Sequence, residues 1–151
     1  MERLQQYDVV VVGGGTAGVS AAVGAAKTGA KTLLIERNAY LGGEATNSGV
    51  SAFCGFYTCG ENPVRVVEGV GRLVLNEMEA LGPTVDYVIS ATGNRNINFQ
   101  PEYLKCAMDN LLEKERVDYF LHTSVIGADT ENGTITAIHC ADDEGTFTVA
   151  A

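Results

Sequence analysis

An α/β fold built around a parallel sheet follows from three observations in this chain. First, Tyr7-Asp8-Val9-Val10-Val11-Val12 is a β-branched apolar run that suits a strand buried on both faces. Second, a glycine-rich turn, an Ala- and Gly-rich helical segment and another apolar run, Lys31-Thr32-Leu33-Leu34-Ile35, follow it in direct succession. Third, the C-terminal part turns to short β-rich runs separated by turn signals, which predicts a small antiparallel β-meander.

The first turn reads Gly13-Gly14-Gly15-Thr16-Ala17-Gly18 and fits G-x-G-x-x-G. Gly13 permits the tight step from strand to helix, and Gly15 lets the backbone approach a pyrophosphate with no Cβ in the way. Gly18 lets the helix sit close on the strand. The helix is expected over Val19–Thr28, with Gly29 capping its end. Its unpaired N–H groups and the positive end of its dipole suit an anion. Glu36 closes the second strand, 18 residues past Gly18, where a carboxylate accepts hydrogen bonds from an adenosine ribose. An acid there favours a free 2′-hydroxyl over a 2′-phosphate. Glycine turns are common, but a strand before, a helix after and an acid at this distance select a dinucleotide site of the Rossmann type. As a strand-end carboxylate, Glu36 is expected to serve the ligand and to contribute little to the core.

Composition narrows the field. The 151 residues amount to one domain and suffice to bury a core, and 18 glycines suit close backbone contacts. A net charge of −9, with no Lys/Arg-rich helix, argues against nucleic acid. No apolar run approaches the length of a membrane span. Met1 to Gln6 has neither the apolar core nor the cleavage site of a signal peptide, so the cytoplasm is the expected compartment. Cys54, Cys59, Cys106 and Cys140 are too scattered for a disulfide scaffold or a zinc site, and no metal site is expected.

Beyond Glu36 a plain NAD-binding unit would continue into a helix and a third parallel strand. Instead the chain runs Arg37-Asn38-Ala39-Tyr40-Leu41-Gly42-Gly43-Glu44-Ala45-Thr46-Asn47-Ser48-Gly49, a loop of glycines and small polar residues. Such a loop brings backbone N–H groups and hydroxyls to a ligand, and its length in a compact domain points to function.

Val11 to Gly18, then Ile35-Glu36-Arg37, then Leu41-Gly42-Gly43-Glu44-Ala45-Thr46 together resemble the N-terminal part of FAD-dependent oxidoreductases. The similarity is to those with the glutathione-reductase-type FAD fold, near the fumarate reductase and succinate dehydrogenase flavoproteins. It is specific from Tyr7 to about Phe56 and looser beyond. The resemblance implies that Gly13, Gly14, Gly15, Thr16, Ala17 and Gly18 line the pyrophosphate of FAD and that Glu36 takes the adenosine ribose. It places Arg37 by the adenine or its phosphate, although a solvated strand-end charge fits Arg37 equally. It sets Gly42, Gly43 and Thr46 at the pyrophosphate and flavin side, and has Val125 offer its backbone to the adenine. Cys54 and Cys59 share the C-x4-C spacing of redox disulfides in flavin-dependent disulfide reductases. Cys54 lies 11 residues past Gly43, however, so small buried apolar residues are expected rather than a catalytic pair.

Further along, Val67, Val70, Val74, Met78 and Leu81 recur at helical spacing from Pro63 until Gly82-Pro83 stops them. The stripe reads as core. Tyr87-Val88-Ile89 suits a short strand and Gly93-Asn94-Arg95-Asn96 a turn. Arg95 reads as a solvated loop arginine; the resemblance, in which this region leads toward the substrate domain, implies a substrate carboxylate as the less common alternative. Pro101 opens a helix to about Lys114 whose Leu104, Met108, Leu111 and Leu112 share one side. Val117 to Val125 reads as a strand, with His122 in it as a packed or surface residue. Asn132-Gly133 is a hairpin turn between Ser124–Thr130 and Thr134–Cys140. Asp142 to Gly145 makes a second turn before Thr146-Phe147-Thr148-Val149.

The expected whole is a Rossmann-like FAD-binding domain over residues 1–151, with a parallel central sheet, an inserted helical segment and the meander. Residues 60–100 would be a partial insert toward a substrate domain. The function implied is the FAD-binding part of a flavin-dependent oxidoreductase, moving hydride or electrons through the isoalloxazine ring to or from a small molecule. No catalytic acid, base or nucleophile stands out. A non-catalytic FAD-holding module or electron-transfer subunit with a partner chain stays open, as does a NAD-binding domain. The resemblance also implies that the domain is incomplete. One more parallel strand would follow the meander, so the isolated chain is expected to be inactive alone and to associate through an open strand edge.

Overall fold

The computed structural model describes residues 3–83 and 85–151. They fold as two compact units: one comprises the chain up to Leu41 together with Leu112–Ala151, the other Gly42–Leu111.

In the first unit, β1 (Arg3–Gln6) leads to β2 (Val9–Val12), α1 (Thr16–Lys27) and β3 (Thr32–Ile35). After the second unit come β7 (Asp118–Phe120), β8 (Ser124–Glu131), β9 (Thr134–Asp142) and β10 (Gly145–Ala150). β2, β3 and β7 form the parallel sheet in that order, with Val9 opposite Thr32 and Leu33 opposite Asp118. β3 lies in the middle and all four of its residues are buried. β2 departs from the expectation of a strand buried on both faces: Val9 to Val11 are half-buried and Val12 is 56% exposed. Its outer edge has no strand partner among the described residues, so it has neighbours on one flank only.

The meander is present, and it gains a strand that the sequence pattern did not announce. Its order is β1-β10-β9-β8, with β1 parallel to β10 and Arg3 opposite Thr148. Asn132 and Gly133 both take positive φ, 50° and 81°, the left-handed pair that a two-residue hairpin turn needs. At the second turn the Asp142 carboxylate accepts the N–H groups of Glu144 and Gly145 at 2.9 and 3.1 Å. Leu33 and Ile35 of the parallel sheet pack with Ile138, Cys140 and Val149 of the meander into one apolar cluster that also holds Tyr7. Each fully buried aliphatic side chain there contributes about 1.5–3 kcal/mol. Burial and a 2.9 Å hydrogen bond to Asp118 push the Tyr7 phenol up to about 12.

The expected strand Val117–Val125 is in fact two. β7 ends at Phe120, His122 adopts φ 51°, and β8 begins at Ser124 in the other sheet. An apolar run does not reveal that its two halves pair with different neighbours. His122 therefore lies in the break and not in a strand.

The second unit holds α2 (Glu44–Asn47), β4 (Ala52–Phe53), α3 (Val70–Ala80), β5 (Val85–Ile89), β6 (Arg95–Phe99) and most of α4 (Pro101–Lys114). β4, β6 and β5 form an antiparallel sheet in that order. The helical pattern expected from Pro63 begins only at Val70, because Gly69 before it sits at φ 64°. Upstream, the Thr58 N–H donates to the Val64 carbonyl and the Val66 N–H to the Phe56 carbonyl, so these backbones pair instead of coiling. The turn of the β5–β6 hairpin spans Ser90 to Asn94, and Arg95 starts β6. Helix α4 has the expected bounds and buries Leu104, Met108, Leu111 and Leu112. Among the described residues no helix is long and apolar enough to cross a membrane.

Candidate functional site

The glycine turn of the first unit is built as its spacing requires. Gly13 takes φ 102° and donates its N–H to the Ile35 carbonyl at 2.7 Å, which ties the turn to the end of β3. A Cβ on Gly18 would run into the Gly13 carbonyl oxygen, so the first turn of α1 rests directly on backbone. A Cβ on Gly14 would come within 2.6 Å of Leu41 Cδ2 and 2.9 Å of Glu36 Cβ. Gly15 is the N-cap of α1 and offers no side-chain cap, and the first turn carries no acidic residue. The first intrahelical bond runs from the Val19 N–H to the Gly15 carbonyl. The N–H groups of Thr16, Ala17 and Gly18 therefore have no acceptor within the helix, and no acidic residue of that turn compensates the positive end of its dipole.

Glu36 is 6% exposed, which corrects the expectation of a ligand-only carboxylate. Its Oε2 accepts the Gly14 N–H at 2.6 Å, and its Oε1 accepts the Asn38 N–H at 2.8 Å and the Asn38 Nδ2 at 2.6 Å. A carboxylate offers about four acceptor positions, so one remains, on Oε2. The backbone of Glu36 is equally committed: its N–H donates to the Phe120 carbonyl and its carbonyl accepts from Thr123. Asn38 escaped sequence reasoning, although Asn side chains in turns commonly close local hydrogen bonds. Leu41, buried against the Gly14 position, escaped it too.

The remaining site residues are dispersed. Arg37 is exposed and forms no ion pair among the described residues. Val125 is half-buried opposite Cys140 on β8, which is the outer strand of its sheet. Gly42, Gly43 and Thr46 belong to the second unit. There Gly42 takes φ 109° and Gly43, at φ 54°, caps α2. The Thr46 N–H and hydroxyl both donate to the Gly43 carbonyl, at 3.1 and 3.3 Å, so the side chain folds onto its own turn. All four cysteines carry free thiols, and Cys54, Cys59 and Cys106 are exposed rather than buried.

Residues 8–151 match the family described as FAD dependent oxidoreductase. Over 76 residues the chain is 38% identical to the digeranylgeranylglycerophospholipid reductase of Thermoplasma acidophilum, covering 50% of this chain and 14% of that protein. Over 49 residues it is 53% identical to the glutathione reductase of Yarrowia lipolytica, covering 32% of this chain and 10% of that one. Its fold superposes on a geranylgeranyl bacteriochlorophyll reductase-like protein of Thermoplasma acidophilum with a TM-score of 0.64 at 22% identity. That likeness, one of fold, takes in 99% of this chain and 38% of the other. The chain thus matches only a minor part of the length of each.

Proposed function

We propose, for a chain that belongs to the FAD dependent oxidoreductase family and so works with FAD, that its first unit receives the adenosine and pyrophosphate end of that cofactor. The observation that carries this reading is the Glu36 clasp on Gly14 beside the uncapped start of α1. The residues fit the group. The turn has no Cβ to keep a pyrophosphate at a distance, and the N–H groups of Thr16, Ala17 and Gly18 are the donors such an anion needs. The free acceptor position on Glu36 Oε2 suits one ribose hydroxyl, while the same carboxylate pins the Gly14 amide and so holds the turn in shape. Val125 would offer its backbone to the adenine, and Arg37 would lie by the adenine or its phosphate.

When bound, the flavin supplies hydride or electron transfer, and the protein's part is to orient it and keep its charge compensated. We place the activity in a larger assembly, since the outer edge of β2 has no strand partner among the described residues. Free, exposed thiols fit the reducing cytoplasm.

The test is titration with FAD and, separately, with NAD, followed by flavin absorbance and by melting temperature. FAD should stabilise the chain and acquire a protein-bound spectrum. Stabilisation by NAD with no response to FAD would overturn the reading.

A further inference from the structure

We propose that Asn132 is a site of spontaneous covalent modification, where the folded chain closes a succinimide at the tip of the β8–β9 hairpin and opens it to isoaspartate.

That chemistry needs a side-chain amide and the backbone nitrogen of the next residue, and both stand free here. Asn132 and Gly133 are exposed, between Glu131 and its strand partner Thr134. The Asn132 side chain has no hydrogen-bond partner among the described residues. The Gly133 N–H donates to no backbone carbonyl there, and a Cβ built on Gly133 would meet nothing within 4 Å.

The turn is also bent toward the reaction. Asn132 takes φ 50° and Gly133 φ 81°, the type I′ pair. A type II′ turn keeps the first of these angles and differs by a flip of the peptide plane between the two residues, which takes ψ at the first to about −120°. Gly133 accepts the new φ, of opposite sign, because it has no Cβ. In the flipped turn the Gly133 nitrogen eclipses the Asn132 Cβ, so Cγ comes within its reach and a five-membered ring can close. Of nine asparagines only Asn132 precedes a glycine. Asn76 and Asn110 lie in α3 and α4, and Asn96 and Asn98 in β6, where such a flip would break helix or sheet hydrogen bonds.

The step needs water and no redox partner. The Gly133 nitrogen gives up its proton to hydroxide and attacks Asn132 Cγ. The new N–C bond forms, the Cγ–Nδ2 bond breaks, and ammonia leaves with the proton returned. Water then adds to either carbonyl of the ring. One opening yields aspartate, and the other routes the main chain through Cβ and yields isoaspartate. Aspartate before glycine suits the turn as well as asparagine does. Isoaspartate puts an extra backbone carbon into a two-residue loop and so pushes Glu131 and Thr134 out of register.

The test is incubation of the chain in mildly alkaline buffer, with the urea-unfolded chain in parallel and peptides mapped by mass spectrometry over time. In the folded chain Asn132 should convert about tenfold or more faster than any other asparagine, to a mixture of isoaspartate and aspartate. Asn132→Gln should stay unmodified at that position. The aged parent should melt below Asn132→Asp, which carries the same charge on an unaltered main chain. Should either variant fail to fold, the peptide map of the parent decides alone. An intact Asn132 in the folded chain, while the unfolded chain converts, overturns the proposal, as does faster conversion of another asparagine. Aspartate without isoaspartate overturns the ring route. Melting of the aged parent no lower than that of Asn132→Asp overturns the loss of register.

Discussion

Replacing Glu36 by Ala should destabilise the chain before any ligand is added. The carboxylate accepts three N–H donors, from Gly14 and twice from Asn38, at 2.6–2.8 Å. Gly14 is buried, so losing its acceptor leaves a buried N–H unsatisfied at a cost of about 1–3 kcal/mol. Asn38 is half-buried and recovers water in part, so its two bonds together account for about 1 kcal/mol more. The sum is about 3 kcal/mol, or a fall of about 6–12 °C in melting temperature for a chain of this size. Thermal unfolding of the flavin-free protein, followed by circular dichroism, measures it directly. Glu36→Gln should fall between the two. Its amide oxygen keeps the Asn38 pair while its NH2 faces the Gly14 donor, so one bond is lost and a donor–donor clash is gained. If Glu36→Ala melted within about 1–2 °C of the parent, the clasp would not be holding the turn. FAD affinity measured on the same variants then reports the ribose contact on top of a known structural cost.

Two further outcomes follow from the same unit. Gly18→Ala should cost about 3 kcal/mol or more, because its Cβ meets the Gly13 carbonyl oxygen, a backbone atom with nowhere to move. Gly24→Ala, in the same helix but facing open space, should instead stabilise by about 0.5–1 kcal/mol; equal melting shifts for the two would contradict the close approach of α1 to the turn. The Tyr7 phenol, raised from 10.0 to about 12, keeps its proton in the folded chain at pH values where the unfolded chain releases it. Its contribution to stability is therefore complete below pH 10 and lost as the pH rises through about 12. The stability difference between the parent and Tyr7→Phe should shrink across that window, and a constant difference would show that the phenol proton is not held by the fold.

Local signals decided what local chemistry controls. Gly13, Gly15 and Gly18 announced a strand–turn–helix unit because each has a steric job within a few residues of itself; β3 follows within one residue of expectation, while α1 starts three residues earlier than expected and ends one earlier. Asn132-Gly133 specified its hairpin for the same reason, and Pro101 the start of α4. Family membership also lay in short motifs, since those are the segments that must keep their spacing around a nucleotide.

Tertiary structure decided whatever depends on a distant neighbour. The run Val9–Val12 and the run Thr32–Ile35 look alike in sequence, yet only β3 is flanked by strands on both sides, so only β3 is fully buried. Arg3–Gln6 carries no strand signal of its own and becomes one because β10 offers it a backbone to pair with. His122 breaks an apparently continuous strand because the chain must leave one sheet for another there. Glu36 looked like a ligand residue alone until the fold brought Gly14, 22 positions away, onto its carboxylate. Arg95 looked like a solvated loop residue until the fold set its guanidinium carbon 4.7 Å from the centre of the Tyr57 ring and 5.0 Å from that of Tyr87. In each case the deciding partner is remote in sequence, and pairing, burial and stacking are set by atoms that only the folded chain brings within a few ångströms of one another.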